Sequence, residues 1–268
     1  MKQRDKVESV GIDPKLIADR RGQVIRAAVK LFSENGYYNT TTQQIAREAG
    51  ISAGLIYHYF EEKDDILFLA LQQVLDTYEH EIPASLIGHE HPVDRLCMAI
   101  FAYCRVVNRL REATVLAYRS TKSLHADRRI FIKEGETRTN HLMESYVTAC
   151  IDGKYMRPVN VHMLVYVMVS FAHTWALKYW ALCDRYTLRQ YVEEGLKIFI
   201  EPQLTKKGLT EFEQFKIQLK TLVILPEFDA DAAPKSAKQS SASASGRGRR
   251  GRSAAKRILK ASAQSVNE

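Results

Sequence analysis

Between Ser52 and Tyr59 the chain sets three small residues, Ser52, Ala53 and Gly54, ahead of Tyr57, His58 and Tyr59. At the start of a helix, side chains this small let the backbone approach a groove floor, and the free amides and positive end of the helix attract phosphate. Two phenols and an imidazole one turn later supply hydrogen-bond donors beside them. A second group lies in apolar surroundings further along. Tyr103 and Asn108, then Tyr118, Arg119 and Lys122, then Asn140 and His141, then His173, Trp175 and Tyr179 bring aromatic and basic groups into an otherwise apolar context. Walls of that kind with a few convergent polar groups suit a small-molecule pocket, and the candidate ligand-binding set is Tyr103, Arg119, His141, His173, Trp175 and Tyr179. Arg119 follows Val115, Leu116 and Ala117; partly buried it would want an anion, and otherwise it lies on the solvated side with Lys122.

Other chemistries find less support. His80, Glu81, His89, Glu90 and His91 cluster loosely, without metal-ligand spacing, and read as a solvated loop, so no metal is expected. Cys97, Cys104, Cys150 and Cys183 have no CxxC pair and apolar neighbours, and read as small buried hydrophobes. There is no nucleophile elbow, Gly-rich phosphate loop or HExxH. Glu134, Glu136 and Glu144 lack the carboxylate–histidine spacing of a helical-bundle metalloenzyme. An enzyme is not expected.

The elements that must position these groups are all helical. Asp13-Pro14 is a cap and first-turn pair, Ile17 to Phe32 keeps a helical apolar period, and Asn35-Gly36 closes that helix with a left-handed cap. Thr41 and Gln44 form a capping box for a second short helix ending at Gly50, and Ser52 opens a third that ends near Tyr59-Phe60. A fourth runs from about Lys63 to Glu81 and ends before Pro83. Further helices are expected at 93–110, 111–122, 127–151, 161–183, 187–200 and 209–224, the last capped by Thr210 with Glu213. Residues 41–60 therefore have the logic of a helix-turn-helix, with Ile45, Ala49, Ile51, Leu55 and Ile56 packing its two helices together.

Val161 to Cys183 carries one charge, Lys178, in a stretch long enough to span a bilayer. His162, Ser170, His173 and Thr174 interrupt it, and Trp175, Tyr179 and Trp180 gather at one end instead of forming two belts. It reads as a soluble helix buried on all sides, packing on its own bundle and on a second copy, with Ala172 and Ala176 on the dimer face.

The formal charge of +8 is unevenly spread. Residues 1–60 carry +3, 61–234 carry −3, and 235–260 carry nine basic groups with no acid. Residues 232–255 are mostly Ala, Ser, Gly, Lys and Arg with no aromatic, and cannot bury enough surface to fold alone. The ends invite an anionic polymer. The N-terminus has no apolar signal segment, and cytoplasmic residence is the default expectation.

The run from Arg20 to Tyr78 resembles the N-terminal domain of the TetR/AcrR family of transcriptional regulators. The matching features are Leu31-Phe32-Ser33-Glu34-Asn35-Gly36-Tyr37, Thr41-Thr42, Ile45-Ala46, Ala49-Gly50-Ile51-Ser52, Gly54, Leu55-Ile56-Tyr57, Tyr59-Phe60, Lys63 and Ile66-Leu67. The resemblance implies a homodimeric repressor that binds a palindromic double-stranded DNA operator and releases it when a small molecule enters an all-α second domain. Carried over by position, Thr42, Ser52, Ala53, Gly54, Tyr57, His58 and Lys63 face DNA, with base readout falling to Ala53, Gly54 and His58. Glu62 stands where the family often has a small capping residue. The segments Tyr118 to Leu124 and Trp175 to Lys178 are similar to members that answer to acyl-CoA thioesters, which makes an apolar-tailed anion such as an acyl-CoA the expected effector; no cofactor is expected.

The expected layout is an N-terminal extension (1–18), a helix-turn-helix head (19–79, motif 42–61), a helical ligand-binding and dimerisation domain (80–226) and a disordered basic tail (227–268). The competing reading is a non-specific nucleic-acid-binding protein driven by the tail.

Overall fold

The computed structural model describes residues 14–221; the expected N-terminal extension up to residue 13 and the basic tail lie outside the described residues. Eleven α-helices fill that span: α1 Pro14–Asn35, α2 Thr42–Glu48, α3 Ala53–Tyr59, α4 Lys63–Ala84, α5 Pro92–Arg109, α6 Arg111–Ser120, α7 Ala126–Asp152, α8 Val161–Leu177, α9 Tyr179–Leu182, α10 Leu188–Gly195 and α11 Lys206–Thr221. Among the described residues there is no strand, only one isolated antiparallel bridge between Met156 and Leu204.

Local chemistry sets the helix ends. Gly36 and Gly50 take positive φ, 82° and 69°, where a side chain would strain the turn. Thr41 and Gln44 form a reciprocal capping box on α2. Ser52 caps α3 by accepting from the Leu55 amide at 3.2 Å. At α4 the Asp65 carboxylate accepts from the Glu61 and Glu62 amides at 2.7 and 2.8 Å, so an acid one turn into the helix does the capping that Glu62 leaves undone.

Three boundaries differ from the sequence expectation. Pro83 sits inside the last turn of α4, which continues to Ala84, with the Ser85 amide still bonding back to the Glu81 carbonyl at 3.0 Å. The stretch 161–183 breaks at Lys178 into α8 and α9. The last helix starts at Lys206, with Thr205 Oγ1 accepting from the Gly208 amide at 3.2 Å; Thr210 lies inside it.

Two cores organise the chain. One is formed by Val24, Ala28 and Phe32 of α1, Ile45 and Ala46 of α2, Ile56 of α3, and Ile66, Leu67, Leu71 and Leu75 of α4. Leu116, Leu124 and Ile132, from α6 onward, complete that core, so the head is not sealed by its own residues. α4 passes residue 79 without a break, and the boundary suggested there falls within one helix. The second core centres on α5 and gathers α7, α8, α10 and α11 around Phe101, Trp175, Phe212 and Phe215. No helix among the described residues is long and apolar enough to cross a membrane. α8 is two-faced: Val165, Met168, Ala172, Trp175 and Ala176 are buried within the protomer, while Met163, Tyr166 and Val167 are exposed. Ala172 and Ala176 therefore do not offer themselves to a second copy; the outward row at Met163, Tyr166 and Val167, with Ile198 and Trp180 also exposed, does.

Candidate nucleic-acid interface and effector cavity

The helix-turn-helix is built tightly and left bare on one side. The turn is held by the Ile51 amide bonding back to the Ala46 carbonyl at 3.0 Å. Ile45 and Ile56 are fully buried between the two helices and α1. Ala53, Gly54, Tyr57 and His58 are exposed. A Cβ at Gly54 would meet nothing within 4 Å, so the protein's own packing does not require a glycine there. Tyr57 is about half exposed, and its hydroxyl lies 2.8 Å from Thr42 Oγ1. That pair joins the first turn of α2 to the last turn of α3 on an open surface. Ser52 keeps its O–H free for an acceptor while its oxygen caps the helix.

Lys63 is placed differently from the rest. Its ammonium donates to the carbonyls of Tyr37 and Thr40, at 2.8 and 2.9 Å, and lies 4.4 Å from the Tyr37 ring centroid. Half-buried, it is held below the ordinary lysine pKa by desolvation. In this structure Lys63 ties the α1–α2 connection to the start of α4, a role that its spacing from the helix-turn-helix does not reveal.

Behind the head, α4 to α8 enclose a cavity of about 840 Å³. Leu71, Val74, Leu75, Ile132 and Val169 supply apolar wall, and Tyr78, Tyr103, Tyr118 and Tyr166 supply aromatic wall. Lys122, Arg129 and Lys133 line it as well, and Glu136 is the one carboxylate in the lining. Burial pushes the Glu136 carboxyl up, with Lys133 opposing. The polar centre is His173: Nε2 lies 3.2 Å from the Tyr103 hydroxyl and Nδ1 lies 2.8 Å from that of Tyr118. Burial drives its pKa down to about 4, so the ring is neutral at pH 7 and carries one N–H. One tyrosine then donates to the imidazole and the other accepts from it.

Of the six expected ligand residues, Tyr103 and His173 line this cavity. The other four do not, each for a visible reason. Arg119 is exposed, one position beyond Tyr118, the last α6 residue that lines the cavity. His141 sits on the outer side of α7, bound to Glu144 at 2.8 Å. Trp175 is sealed in the core, its indole N–H donating to Asn108 Oδ1 at 2.8 Å. Tyr179 lies past the end of α8 under the Arg111 guanidinium, 4.1 Å from it. Sequence reasoning missed Tyr78, Thr114, Arg129, Lys133 and Glu136 as a group, because they come from three helices whose relative rotation no local pattern encodes.

Two of the histidines and acids around residues 80–91 have structural partners. His91 Nδ1 caps α5 by accepting from the Val93 amide, and Glu81 pairs with Arg109. The three-ligand group found among the described residues is Glu62, Asp64 and His125, and the Arg128 guanidinium stands among them.

Arg128 connects the two regions. From the first turn of α7 it binds Asp64 at 2.5 Å, Asp65, and Glu62 at 3.4 Å, all at the start of α4. Its neighbour Arg129 lines the cavity. Burial alone would raise the Asp65 carboxyl, but the Glu62 amide, Arg128 and the Glu61 amide outweigh it and hold it below the usual carboxylate range.

Residues 24–70 match the model for bacterial regulatory proteins of the tetR family. The chain is 58% identical over 226 residues to the HTH-type transcriptional regulator HbdR of Aromatoleum sp. (strain CIB), covering 84% of this chain and 99% of that protein. The chain belongs to the TetR family. It is accordingly a helix-turn-helix transcriptional regulator that binds operator DNA as a dimer and responds to a small molecule, and its relatives are regulators rather than enzymes. The fold agrees with solved members. PfmR from Thermus thermophilus has a TM-score of 0.61 at 20% identity, covering 66% of this chain and 97% of that one. AibR in complex with isovaleryl coenzyme A and operator DNA has a TM-score of 0.59 at 20% identity, covering 67% and 98%.

Proposed function

We propose that this TetR-family protein is a cytoplasmic repressor released from its operator by an acyl-CoA-type effector. The observation that carries the effector class is the composition of the cavity. A wall of apolar and aromatic side chains suits an acyl group, and Lys122, Arg129 and Lys133 in the same lining suit the phosphates of a coenzyme A. AibR, which has the same fold, was solved with isovaleryl coenzyme A and operator DNA, which supports the reading.

On the DNA side, Ser52, Ala53, Gly54, Tyr57 and His58 form the face of each head, with Thr42 anchoring Tyr57. Thr42, Ser52 and Tyr57 serve phosphate and sugar, and Ala53, Gly54 and His58 meet base edges. Lys63 acts on DNA through the loop it holds.

The test is fluorescence anisotropy with a labelled fragment from upstream of the protein's own gene. Specific binding at about 150 mM salt, near physiological ionic strength, followed by release on adding micromolar acyl-CoA is the expected outcome. Release by neutral aromatic compounds with no response to any acyl-CoA refutes the effector class.

A further inference from the structure

Most hydroxyls around the cavity are accounted for by the protein itself. Thr121, Thr137 and Thr139 each donate to the carbonyl four residues back in the chain. Tyr103 and Tyr118 bracket His173. Two others are not. Tyr78 Oη and Thr114 Oγ1 are buried, on side chains 2% and 3% exposed, and the contacts Tyr78 makes with the Thr114 and Tyr103 hydroxyls fall short of good hydrogen-bonding geometry. Both residues line the cavity, Tyr78 from α4 and Thr114 from α6. The Tyr78 ring is stacked on that of Tyr103, with centroids 4.3 Å apart. The Tyr78 hydroxyl is a near neighbour of those of Thr114 and Tyr103, so the three form one polar group beside the His173 array.

Buried hydroxyls in poor hydrogen-bonding geometry are disfavoured, and where they border an open cavity they can bond to an oxygen or nitrogen of whatever enters it. Its charge is constrained. Lys122, Arg129 and Lys133 have their own place in the lining, no cation is among the groups that meet Tyr78, and His173 is neutral. A carboxylate at this point would be buried without a counter-ion, whereas a neutral oxygen can accept from both orphan hydroxyls.

We propose that Tyr78 and Thr114 form an oxygen-reading subsite, and that the effector is an acyl thioester whose acyl group carries a neutral oxygen substituent, a hydroxyl or a keto group, beyond the thioester. This rests on the acyl-CoA reading above and adds to it what the acyl end must contain. Tyr78 and Thr114 donate to that oxygen. A hydroxyl substituent can in turn donate to whichever of Tyr103 and Tyr118 is left able to accept beside His173. An unsubstituted acyl group fills the same space but leaves both protein hydroxyls buried with only their poor contacts to one another and to Tyr103. That is the situation in which a site rejects the analogue lacking the polar group most strongly.

The experiment compares matched pairs in operator release by the full-length protein. Hexanoyl-CoA is set against its 3-hydroxy and 3-keto derivatives, and, because four tyrosine rings line the cavity, benzoyl-CoA is set against its ring-hydroxylated derivatives. In at least one pair the oxygenated member should release DNA at a concentration tenfold or more below its parent. Tyr78→Phe, which keeps the ring, should weaken only the oxygenated member and bring the pair within about twofold. Thr114→Val should act the same way, and carries the test if Tyr78→Phe does not fold. Equal potency within every pair, or a Tyr78→Phe effect equal on both members, overturns the subsite. If no thioester acts at all, the acyl-CoA reading has failed, and the subsite is judged by thermal shift with phenol against benzene. Stabilisation by phenol alone, lost in Tyr78→Phe, sustains it, and equal shifts or none overturn it.

Discussion

Replacing Arg128 by Met should uncouple the cavity-lining α7 from the DNA-binding head. Its guanidinium is about a quarter exposed, whereas the side chain of Asp64 is 5% exposed and that of Asp65 17%. Asp64 Oδ1 has no hydrogen-bond partner, and its other oxygen is held by Arg128. Removing one partner of a buried ion pair costs about 3–5 kcal/mol. The partial exposure of Arg128 admits water, so about 2–3 kcal/mol is a better expectation here. For a chain of this size that is a fall of roughly 4–12 °C in Tm. Asp64→Asn on the Arg128→Met background should recover part of the loss, because the uncompensated buried charge is then removed. The assay is urea unfolding of the two single variants and the double variant, giving a coupling energy of about 1–2 kcal/mol. Anisotropy on operator DNA adds the functional half, since Arg128→Met should shift the effector concentration for release while the cavity still binds effector. A coupling below about 0.5 kcal/mol, with an unchanged effector response, refutes the idea that this cluster links cavity to head.

The pH dependence follows from His173. Its folded pKa of about 4 lies below the ordinary 6.5, so the unfolded chain takes up the proton first. Its burial is fully tolerated above pH 6.5, and stability falls as pH drops from 6.5 toward 4, by an amount on the order of 3 kcal/mol at most. His173→Phe should flatten that part of a Tm-against-pH curve, and an unchanged slope argues that the ring is solvated. Val167→Glu, on the outward row of α8, should shift gel-filtration mass toward monomer without lowering protomer helicity; a dimer of unaltered strength places the interface elsewhere. Tyr57→Phe breaks the link to Thr42 and should weaken operator binding severalfold with the salt slope unchanged, because no charge is removed. Deleting residues 235–268 removes nine basic groups and should lower the salt slope while keeping operator preference. Loss of all binding would favour the tail-driven reading.

The head was legible in the sequence because its determinants are local. A capping box at Thr41 and Gln44, glycines at 36 and 50 forced to positive φ, and a serine cap at 52 fix each turn within four residues of itself. Helix existence was legible throughout, since apolar period and caps repeat along the chain. Helix breaks were less so. The interruption at Lys178 has no proline or glycine to announce it, and Pro83 was tolerated where it was expected to stop a helix.

The cavity lining was only half readable. Each helix presents several faces, and which one turns inward depends on how α4, α6, α7 and α8 rotate against one another. Trp175 and Arg119 illustrate the two failures. The first is chemically suited to a ligand yet packed into the core against Asn108, and the second is a plausible anion partner turned to solvent. Lys63 shows a third, where a cation near the DNA-facing motif is consumed by two backbone carbonyls. By itself the sequence determined a helical chain, a helix-turn-helix with its exposed small residues, and the separation of charge between the ends and the middle, all of which depend on neighbours a few residues apart. Only the tertiary structure decided which hydroxyls are stranded in the cavity, that Arg128 bridges α7 to α4, and that the head's core borrows Leu116, Leu124 and Ile132. Those contacts join residues from about 40 to more than 100 positions apart in the chain, and side-chain burial there is set by packing between helices, to which local propensity is blind.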